Sequence, residues 1–570
     1  MSTEVKNASV ERGKSFLREA VILTIASFAV KIIGVVFKIP LTNILKDGIG
    51  IFTAAYSIYA MLFMLSTSGL PVAVSKLVAA SNEKGRGREA KRIALLAILV
   101  FGIIGFVFAA LLVVFAPVVA EKTGHADSAL AMRVIAPSLF FICVCAAVRG
   151  YFQGLRNMYP TAISQFIEAF FKLTIGLGAV IYAAEKGASV EIQAACAISG
   201  VSVGTFFAMI FILAYRKFSK KCRPNDTDKE SSSDKKLLRL IVLVALPVTL
   251  TAAALYFSQF LDTLIIVNCL VDSGESQEVA EKLFSAYTGL SVPIYDLLPA
   301  TLVFPIATSI LPAISGALAV KKERRASQLT EQAIRISGII AVPCGVFLLV
   351  TGRHCIGLLY GANKWSSVME MADGSGLVLL DSASVSLAIL AFAVFFISIV
   401  STCNSLLNAY GRPNLPFISV LVGIAVLTVT EVVLLYTVGI YGAPISSVVC
   451  YLIVMLMDIY FLRKYCGVRL NLGGMFARPL ACGAISTVVT YGAYVGAKAL
   501  WRALVGANTD SRVAAFVILL ISGIALVIAY SLSSLMLSAI KEDEVRLLPM
   551  GNKIADFLIK RNWLKRSSIA

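Results

Sequence analysis

Apolar runs of about twenty residues or more recur along the chain and are separated by short polar or basic segments. A helix of roughly that length crosses a hydrocarbon core about 30 Å thick, whereas a membrane β-barrel needs alternating strands of about ten residues. We therefore predict an all-α polytopic membrane protein, with two parallel six-helix lobes followed by two further helices. The fourteen predicted spans are 20–44, 50–79, 93–116, 129–153, 160–184, 191–215, 240–268, 284–316, 331–352, 376–409, 415–438, 441–462, 478–500 and 512–539.

Composition and charge exclude a soluble protein. Hydrophobic residues make up 58% of the chain and charged residues 15%, whereas roughly a quarter of the residues in soluble domains are charged. The net charge of +18 is concentrated in alternate loops and in both tails, so the positive-inside rule predicts that both termini are cytoplasmic. This distribution favours contact with anionic lipid and disfavours nucleic acid as a partner. The eleven cysteines are scattered without the spacing of a metal or redox site.

A polar, serine-rich segment divides the chain near its middle and predicts a flexible linker. Features recur on its two sides: Arg156 and Pro160 have counterparts 256 residues later, Arg412 and Pro416. Six helices is an even number, so the halves are expected to be parallel repeats that rock around a central cavity. We predict an N-terminal lobe at 1–223, the linker at 224–236, a C-terminal lobe at 237–464, two further helices at 465–540 and a cytoplasmic tail at 541–570.

Two lysines lie within the first predicted span. Lys31 and Lys38 are seven residues apart, which places them on one face of a helix. A charge near the middle of a bilayer costs about 2.5–3.5 kcal/mol on insertion scales, so Lys31 is expected to face a wet interior. Lys38 lies nearer the membrane surface, where its side chain could instead extend outward.

A second group of charges surrounds the predicted turn between the fourth and fifth spans. Arg149, Gln153 and Arg156 follow an i, i+4, i+7 pattern and form one polar stripe. Beyond the turn, Glu168 and Lys172 are i, i+4 neighbours. Because the two spans form a hairpin, Arg149 and Glu168 fall at similar depth and are predicted to pair. The pair could be a structural lock or part of a site for an anionic group.

The second half differs, since serine and isoleucine occupy the positions equivalent to Arg149 and Glu168. It carries acids instead, Asp262 and Asp296, which suit binding of Na⁺ or H⁺ unless they are hydrogen-bonded within the helices. His125 and His354 are both predicted in external loops, which excludes a histidine proton relay within the membrane. No cofactor and no metal site is predicted.

Several blocks of sequence resemble a known family. The segments KIPLTNIL (38–45), GLPVAVSK (69–76), RGYFQG (149–154), PTAISQ (160–165) and FLDTLI (260–265) are similar to the stage V sporulation protein B branch of the polysaccharide-transporter family. This branch of the multidrug, oligosaccharide-lipid and polysaccharide (MOP) superfamily also contains MurJ-type lipid II flippases. The resemblance extends over nearly the whole chain, and the last two helices match mainly by position.

The resemblance implies a fourteen-helix flippase of the bacterial cytoplasmic membrane. Its substrate would be an undecaprenyl-pyrophosphate-linked saccharide, moved by alternating access and supplying peptidoglycan, spore cortex or another polysaccharide. By the same resemblance, Lys31, Lys38 and Arg149 match cationic residues that face the pyrophosphate. The Asp262 position resembles an acid implicated in cation binding, while Glu431 and Asp458 do not clearly complete that site. The last two helices would form a groove for the lipid tail.

Two other classes of protein remain as alternatives. A multidrug exporter of the same superfamily usually carries organic cations and needs acids and aromatic residues, whereas the charges of the first half are basic. A membrane enzyme acting on the same lipid needs a catalytic base or metal-binding acids on a large external loop. The longest such loop, 353–375, contains no metal-ligand spacing. The sequence therefore favours a transporter and disfavours an enzyme.

Overall fold

The structure is a computed structural model. It describes residues 29–30, 32–34, 36–67, 69–155, 157–218, 233–303, 314, 318, 322–372, 374–412, 414–468, 470–506 and 509–539. The described residues are almost entirely helical, which confirms the predicted all-α class. Two short strands, β1 (Val368–Glu370) and β2 (Gly376–Val378), pair as an antiparallel hairpin.

The chain divides into two compact units, Met1–Asn268 and Cys269–Ala570. The helices that begin in the first unit are α1 (Ile32–Leu45), α2 (Ile49–Thr67), α3 (Leu70–Glu83), α4 (Gly87–Lys122), α5 (Ala129–Ile135), α6 (Pro137–Gly154), α7 (Tyr159–Phe171), α8 (Leu177–Glu185), α9 (Val190–Phe218) and α10 (Asp234–Asp272). Within this unit, α6 packs against α3, α4 and α9, and α7 packs against α9.

The second unit contains the remaining helices. They are α11 (Gln277–Ala286), α12 (Val292–Leu298), α13 (Glu323–Ile356), α14 (Leu379–Ala409), α15 (Asn414–Val438), α16 (Gly442–Tyr465), α17 (Leu472–Leu504) and α18 (Arg512–Met536). Here α14 packs against α13 and α16, α15 packs against α16, and the final pair α17 and α18 packs against α13.

Wider π-helical turns interrupt several helices. They lie at Lys172–Gly176, Tyr287–Ser291, Pro299–Val303 and Gly357–Gly361. A π-turn inserts an extra residue into a helix, changes the direction of the side chains that follow, and often occurs at functional sites. The first of these turns begins at one of the predicted site residues, Lys172.

About half of the predicted spans agree with the observed helices to within three residues at each end, whereas 93–116, 331–352 and 478–500 are shorter than the helices observed. The predicted spans 160–184 and 415–438, for example, correspond to Tyr159–Glu185, which includes one π-turn, and to Asn414–Val438. The described residues contain nine helical runs long and apolar enough to cross a membrane, and one of them, Asn414–Tyr465, includes two helices. The chain is thus a multi-pass membrane protein. The total of fourteen spans, the lobe boundaries and the cytoplasmic termini remain predictions.

The second predicted span, 50–79, is not one continuous helix. Helix α2 ends at Thr67 and α3 begins at Leu70. At this break, the Gly69 amide donates a hydrogen bond of 3.2 Å to the hydroxyl oxygen of Thr249 in α10. A Cβ atom on Gly69 would lie only 2.1 Å from the carbonyl oxygen of Ala245. Glycine therefore allows α10 to pack directly against the backbone at the break.

Candidate functional site

Two glycines place Arg149 within the first unit. Gly150 and Gly154 lie one turn apart on α6, next to Arg149, and both face α3. A Cβ atom on Gly150 would be 2.9 Å from the carbonyl oxygen of Pro71, and one on Gly154 would be 2.7 Å from that of Ser75. Small residues at this spacing let two membrane helices approach closely. The sequence blocks RGYFQG and GLPVAVSK therefore contact each other and fix the depth of Arg149.

Arg149 pairs with Glu168, as predicted. Its Nη2 atom donates to Oε2 of Glu168 at 3.0 Å, and its Nε atom donates to the hydroxyl of Ser164 at 2.9 Å. Ser164 in turn donates to the carbonyl oxygen of Thr161 at 2.8 Å. The side chain of Arg149 is 10% exposed and that of Glu168 27% exposed. The guanidinium is therefore held in one orientation, and the carboxylate keeps a more open side.

A second pair of glycines supports Glu168 and Lys172. Gly200 and Gly204 of α9 face the end of α7 and the π-turn that follows it. A Cβ atom on Gly204 would lie 2.5 Å from the carbonyl oxygen of Glu168, and one on Gly200 would lie 2.7 Å from that of Lys172. Because these neighbours are backbone atoms, they could not rotate out of the way. The glycines therefore determine how closely α9 approaches the segment that carries both side chains.

We expect Gly204→Ala to destabilise the first unit, because the added methyl group must displace backbone. Overpacking of this kind typically costs about 1–3 kcal/mol. The measurement is the thermal unfolding midpoint of the purified protein in detergent. The matched control is Gly178→Ala in α8, where an added Cβ would meet no atom within 4 Å. Equal midpoints for the two variants would contradict the tight contact.

Two lysines share an aromatic platform, which we define as the side chains of Phe37, Phe52 and Tyr56. The ring centroids of Phe37 and Phe52 are 6.2 Å apart, and those of Phe52 and Tyr56 are 5.8 Å apart. Lys38 places its Nζ atom 5.3 Å from the centroid of Phe52. The Nζ atom of Lys172 is 5.2 Å from the centroid of Phe37 and 5.0 Å from that of Tyr56. Both ammonium groups are thus stabilised by aromatic faces.

Neither lysine forms an ion pair with any residue that the structure describes. The i, i+4 spacing of Glu168 and Lys172 permits such a pair, but the π-turn starts at Lys172 and the ammonium lies over rings instead. Both lysines are half-buried. Arg149 is paired with Glu168, whereas Lys38 and Lys172 have no carboxylate partner among the described residues.

The remaining predicted residues have different surroundings. Gln153 is half-buried in α6, near Arg149. Asp262 is half-buried in α10 of the first unit, and Asp296 is half-buried in α12 of the second unit, between two π-turns. Lys31 and Arg156 lie outside the described residues. The binding and coupling roles of all these residues remain predictions.

The structure adds residues that sequence reasoning missed. The platform residues Phe37, Phe52 and Tyr56 were not predicted as part of the site, nor was Ser164. A signal was available, since Phe52 and Tyr56 are i, i+4 neighbours in the block FTAAY (52–56) and therefore lie on one face of a helix.

One of the two histidine placements is wrong. His354 is not in a loop but in the last turn of α13, where it is 3% exposed, and its Nδ1 atom lies 3.0 Å from the Tyr494 hydroxyl. His125 does lie between helices, and burial lowers its pKa to about 4. His125 is therefore neutral at physiological pH. In the described part of the chain, no group of three His, Cys, Asp or Glu side chains is arranged to hold a metal ion.

Comparison with known proteins identifies the family. The polysaccharide biosynthesis protein family matches residues 16–318, more than half of the chain. Three relatives from Bacillus subtilis (strain 168) cover most of the sequence. Membrane protein YabM is 28% identical over 95% of this chain and 96% of its own length. Stage V sporulation protein B is 25% identical over 95% and 99%, and lipid II flippase MurJ is 23% identical over 79% and 83%.

Solved structures share the fold. Lipid II flippase MurJ in an inward closed conformation superposes with a TM-score of 0.64 at 14% identity, covering 91% of this chain and 100% of that one. An inward-facing multidrug resistance transporter of the MATE family and MOP superfamily superposes with a TM-score of 0.62 at 15% identity, covering 76% and 94%. The relatives with a named activity are transporters and not enzymes. This multi-pass membrane chain therefore belongs to the polysaccharide biosynthesis protein family.

Proposed function

We propose that this protein is a flippase that carries an undecaprenyl-pyrophosphate-linked saccharide, with lipid II as its substrate, across the bacterial cytoplasmic membrane. Its two termini would lie in the cytoplasm. The observation that carries the proposal is the pair of half-buried ammonium groups on the aromatic platform, which have no carboxylate partner in the described part of the chain.

The charge of the substrate fits this arrangement. A pyrophosphate diester carries about two negative charges, and fixed cations in a medium of low dielectric constant attract them far more strongly than cations in water. Lys38 and Lys172 offer two positive charges, and Arg149 has its guanidinium held by Glu168. Hydrogen bonds from ammonium groups to phosphate are stronger than those between neutral groups. The platform would thus replace the water that the pyrophosphate loses.

The lipid part of the substrate needs no polar path. An undecaprenyl chain is soluble in the bilayer, so only the sugar and pyrophosphate must be shielded from hydrocarbon. Exposure of the cationic site to each side of the membrane in turn would move the head group while the chain stays in the lipid. We propose that Lys31, Gln153 and Arg156 also belong to the path of the head group, and that Asp262 and Asp296 couple the cycle to Na⁺ or H⁺.

The relatives support a lipid-linked substrate over a drug. Two of them are named as a lipid II flippase and a sporulation protein, and they match most of this chain. The multidrug transporter shares the fold only. An exporter of organic cations would place carboxylates where Lys38 and Lys172 lie, since like charges repel in a medium of low dielectric constant. A spore-cortex or other polysaccharide precursor is the alternative substrate within the proposed class.

The test is direct transport of a fluorescent lipid II by the purified protein in liposomes. We expect the labelled lipid to reach the opposite leaflet faster than in empty liposomes, and unlabelled lipid II to compete. Undecaprenyl phosphate, which lacks the second phosphate and the sugars, should compete much more weakly. Transport of an organic cation dye instead of the lipid would contradict the proposal. Equal transport of several lipid-linked saccharides would overturn the proposed specificity for lipid II, but it would still support a flippase of lipid-linked saccharides.

A further inference from the structure

A buried acid in the second unit has surroundings unlike those of the substrate site. Asp458 of α16 is 0% exposed, and its Oδ1 atom lies 2.5 Å from the hydroxyl of Ser419 in α15. One turn away, Gly423 of α15 packs so closely against α16 that a Cβ atom would lie 2.3 Å from Cγ2 of Val454. The two helices are therefore in direct contact beside the carboxyl group.

The two hydrogen-bond contacts of the Ser419 hydroxyl indicate the protonation state of Asp458. Its hydroxyl lies 2.5 Å from Oδ1 of Asp458 and 2.9 Å from the carbonyl oxygen of Pro416. A serine hydroxyl has one hydrogen and can donate only one full hydrogen bond, while it can accept from a second donor. Both contacts become full hydrogen bonds when the carboxyl group carries a proton and donates to Ser419, which then donates to Pro416.

The other surroundings of Asp458 also favour a neutral acid. Its Oδ2 atom is buried, and among the described residues it has no hydrogen-bond partner and no Lys or Arg that pairs with it. Burial of an ionised carboxylate without a counter-charge costs a large amount of free energy. A neutral carboxyl group with one carbonyl oxygen that lacks a hydrogen bond costs much less.

Among the described residues, the elements packed against α16 supply no cation that pairs with Asp458. From α14, the buried thiol of Cys403 is close enough to interact with Asp458. The other buried acid of α15, Glu431, lies about three turns from Ser419 along the helix. The turn at Gly439–Tyr441 packs at the opposite end of α16.

We propose that Asp458 is a proton-binding site of this transporter, with Ser419 and the Pro416 carbonyl as the hydrogen-bonded groups that hold its protonated form. Pro416 lies in the first turn of α15, which the predicted orientation places at the cytoplasmic side. In the observed conformation the site holds one proton. Separation of α15 from α16 would admit water to Asp458, so that the carboxyl group releases the proton to water and becomes a carboxylate. Proton release is thereby linked to a change in the packing of the second unit.

The first test does not depend on the proposed flippase activity. The infrared spectrum of the purified wild-type protein is compared with that of Asp458→Asn, which keeps the size and hydrogen-bonding capacity of the side chain. At neutral pH we expect the variant to lose one absorption band of a protonated carboxyl group. Glu431→Gln is the matched control, because Glu431 is also a buried acid of this unit, and it should leave that band in place. A spectrum of Asp458→Asn that retains the full band would overturn the proposal.

The second test links the site to transport and rests on the proposed function. In liposomes, lipid II transport by the wild type is expected to change with the pH of the cytoplasmic side, and Asp458→Asn is expected to remove that change. A variant with the wild-type pH dependence would overturn the coupling role. If the wild type fails to transport lipid II at all, the proposed function fails, while the infrared result still decides the proton site.

Discussion

Replacement of Arg149 with alanine is expected to abolish complementation of a bacterial strain depleted of its lipid II flippase. The side chain is buried, and it donates hydrogen bonds to Glu168 and to Ser164 at 3.0 and 2.9 Å. Its removal leaves the Glu168 carboxylate without its cation. Loss of one partner of a buried ion pair typically costs about 3–5 kcal/mol of stability. The remaining negative charge would also repel an anionic head group from the neighbouring lysines.

A double variant separates the structural role of this pair from its role in binding. Arg149→Ala combined with Glu168→Ala removes both charges, so much of the lost stability should return, as measured by the unfolding midpoint and by membrane levels. Transport should remain low if Arg149 contributes to the binding of the pyrophosphate. Full complementation by the double variant would show that the pair only holds α6 and α7 together, and it would remove Arg149 from the substrate site.

The second large effect is expected for the two lysines of the aromatic platform. Lys172→Gln and Lys38→Gln each remove one positive charge while keeping a polar side chain of similar length. A hydrogen bond to a charged group is worth about 1.5–3 kcal/mol, so each change should weaken lipid II binding roughly ten- to a hundredfold. The measurement is the binding of lipid II to purified protein, at low and at high salt.

A third lysine provides the control. Lys186 also lies over a tyrosine, with its Nζ atom 5.8 Å from the Tyr182 centroid, but it is exposed at the end of α8. Lys186→Gln should therefore leave lipid II affinity unchanged. Equal affinities for Lys172→Gln, Lys38→Gln and the wild type would exclude the platform as the pyrophosphate site. High salt should weaken binding only modestly, because half-buried charges are less screened than exposed ones.

The positions of the helices could be predicted because hydropathy is a local property. Each span must contain enough consecutive apolar residues to cross the bilayer, and the predicted limits of 415–438 agree with the observed Asn414–Val438. The Arg149–Glu168 pair was predictable for a related reason. When a short turn joins two spans, residues at equal distances from the turn lie at the same depth in the membrane. A charged residue on one span can therefore pair with an opposite charge at the matching position of the other span, as Arg149 and Glu168 do.

Features that depend on contacts between distant segments were not predictable. The break between α2 and α3 follows from the packing of Gly69 against Ala245 and Thr249 of α10, more than 170 residues later. His354 was placed in a loop because the predicted span 331–352 ended before it, yet helix α13 continues through it and Tyr494 of α17 contacts it. Hydropathy does not report which residues meet across helices.

The sequence by itself determined the membrane class, the approximate spans, the excess of positive charge in the first half and one ion pair. These depend on composition and on spacing along single helices or one hairpin. Only the tertiary structure decided that Lys172 lies over Phe37 and Tyr56, and that Asp458 meets Ser419. The physical reason is packing between helices. The directions of the side chains near Lys172 depend on the π-turn at Lys172–Gly176 and on the close approach of α9 at Gly200 and Gly204. The spacing of residues along one helix does not reveal these directions.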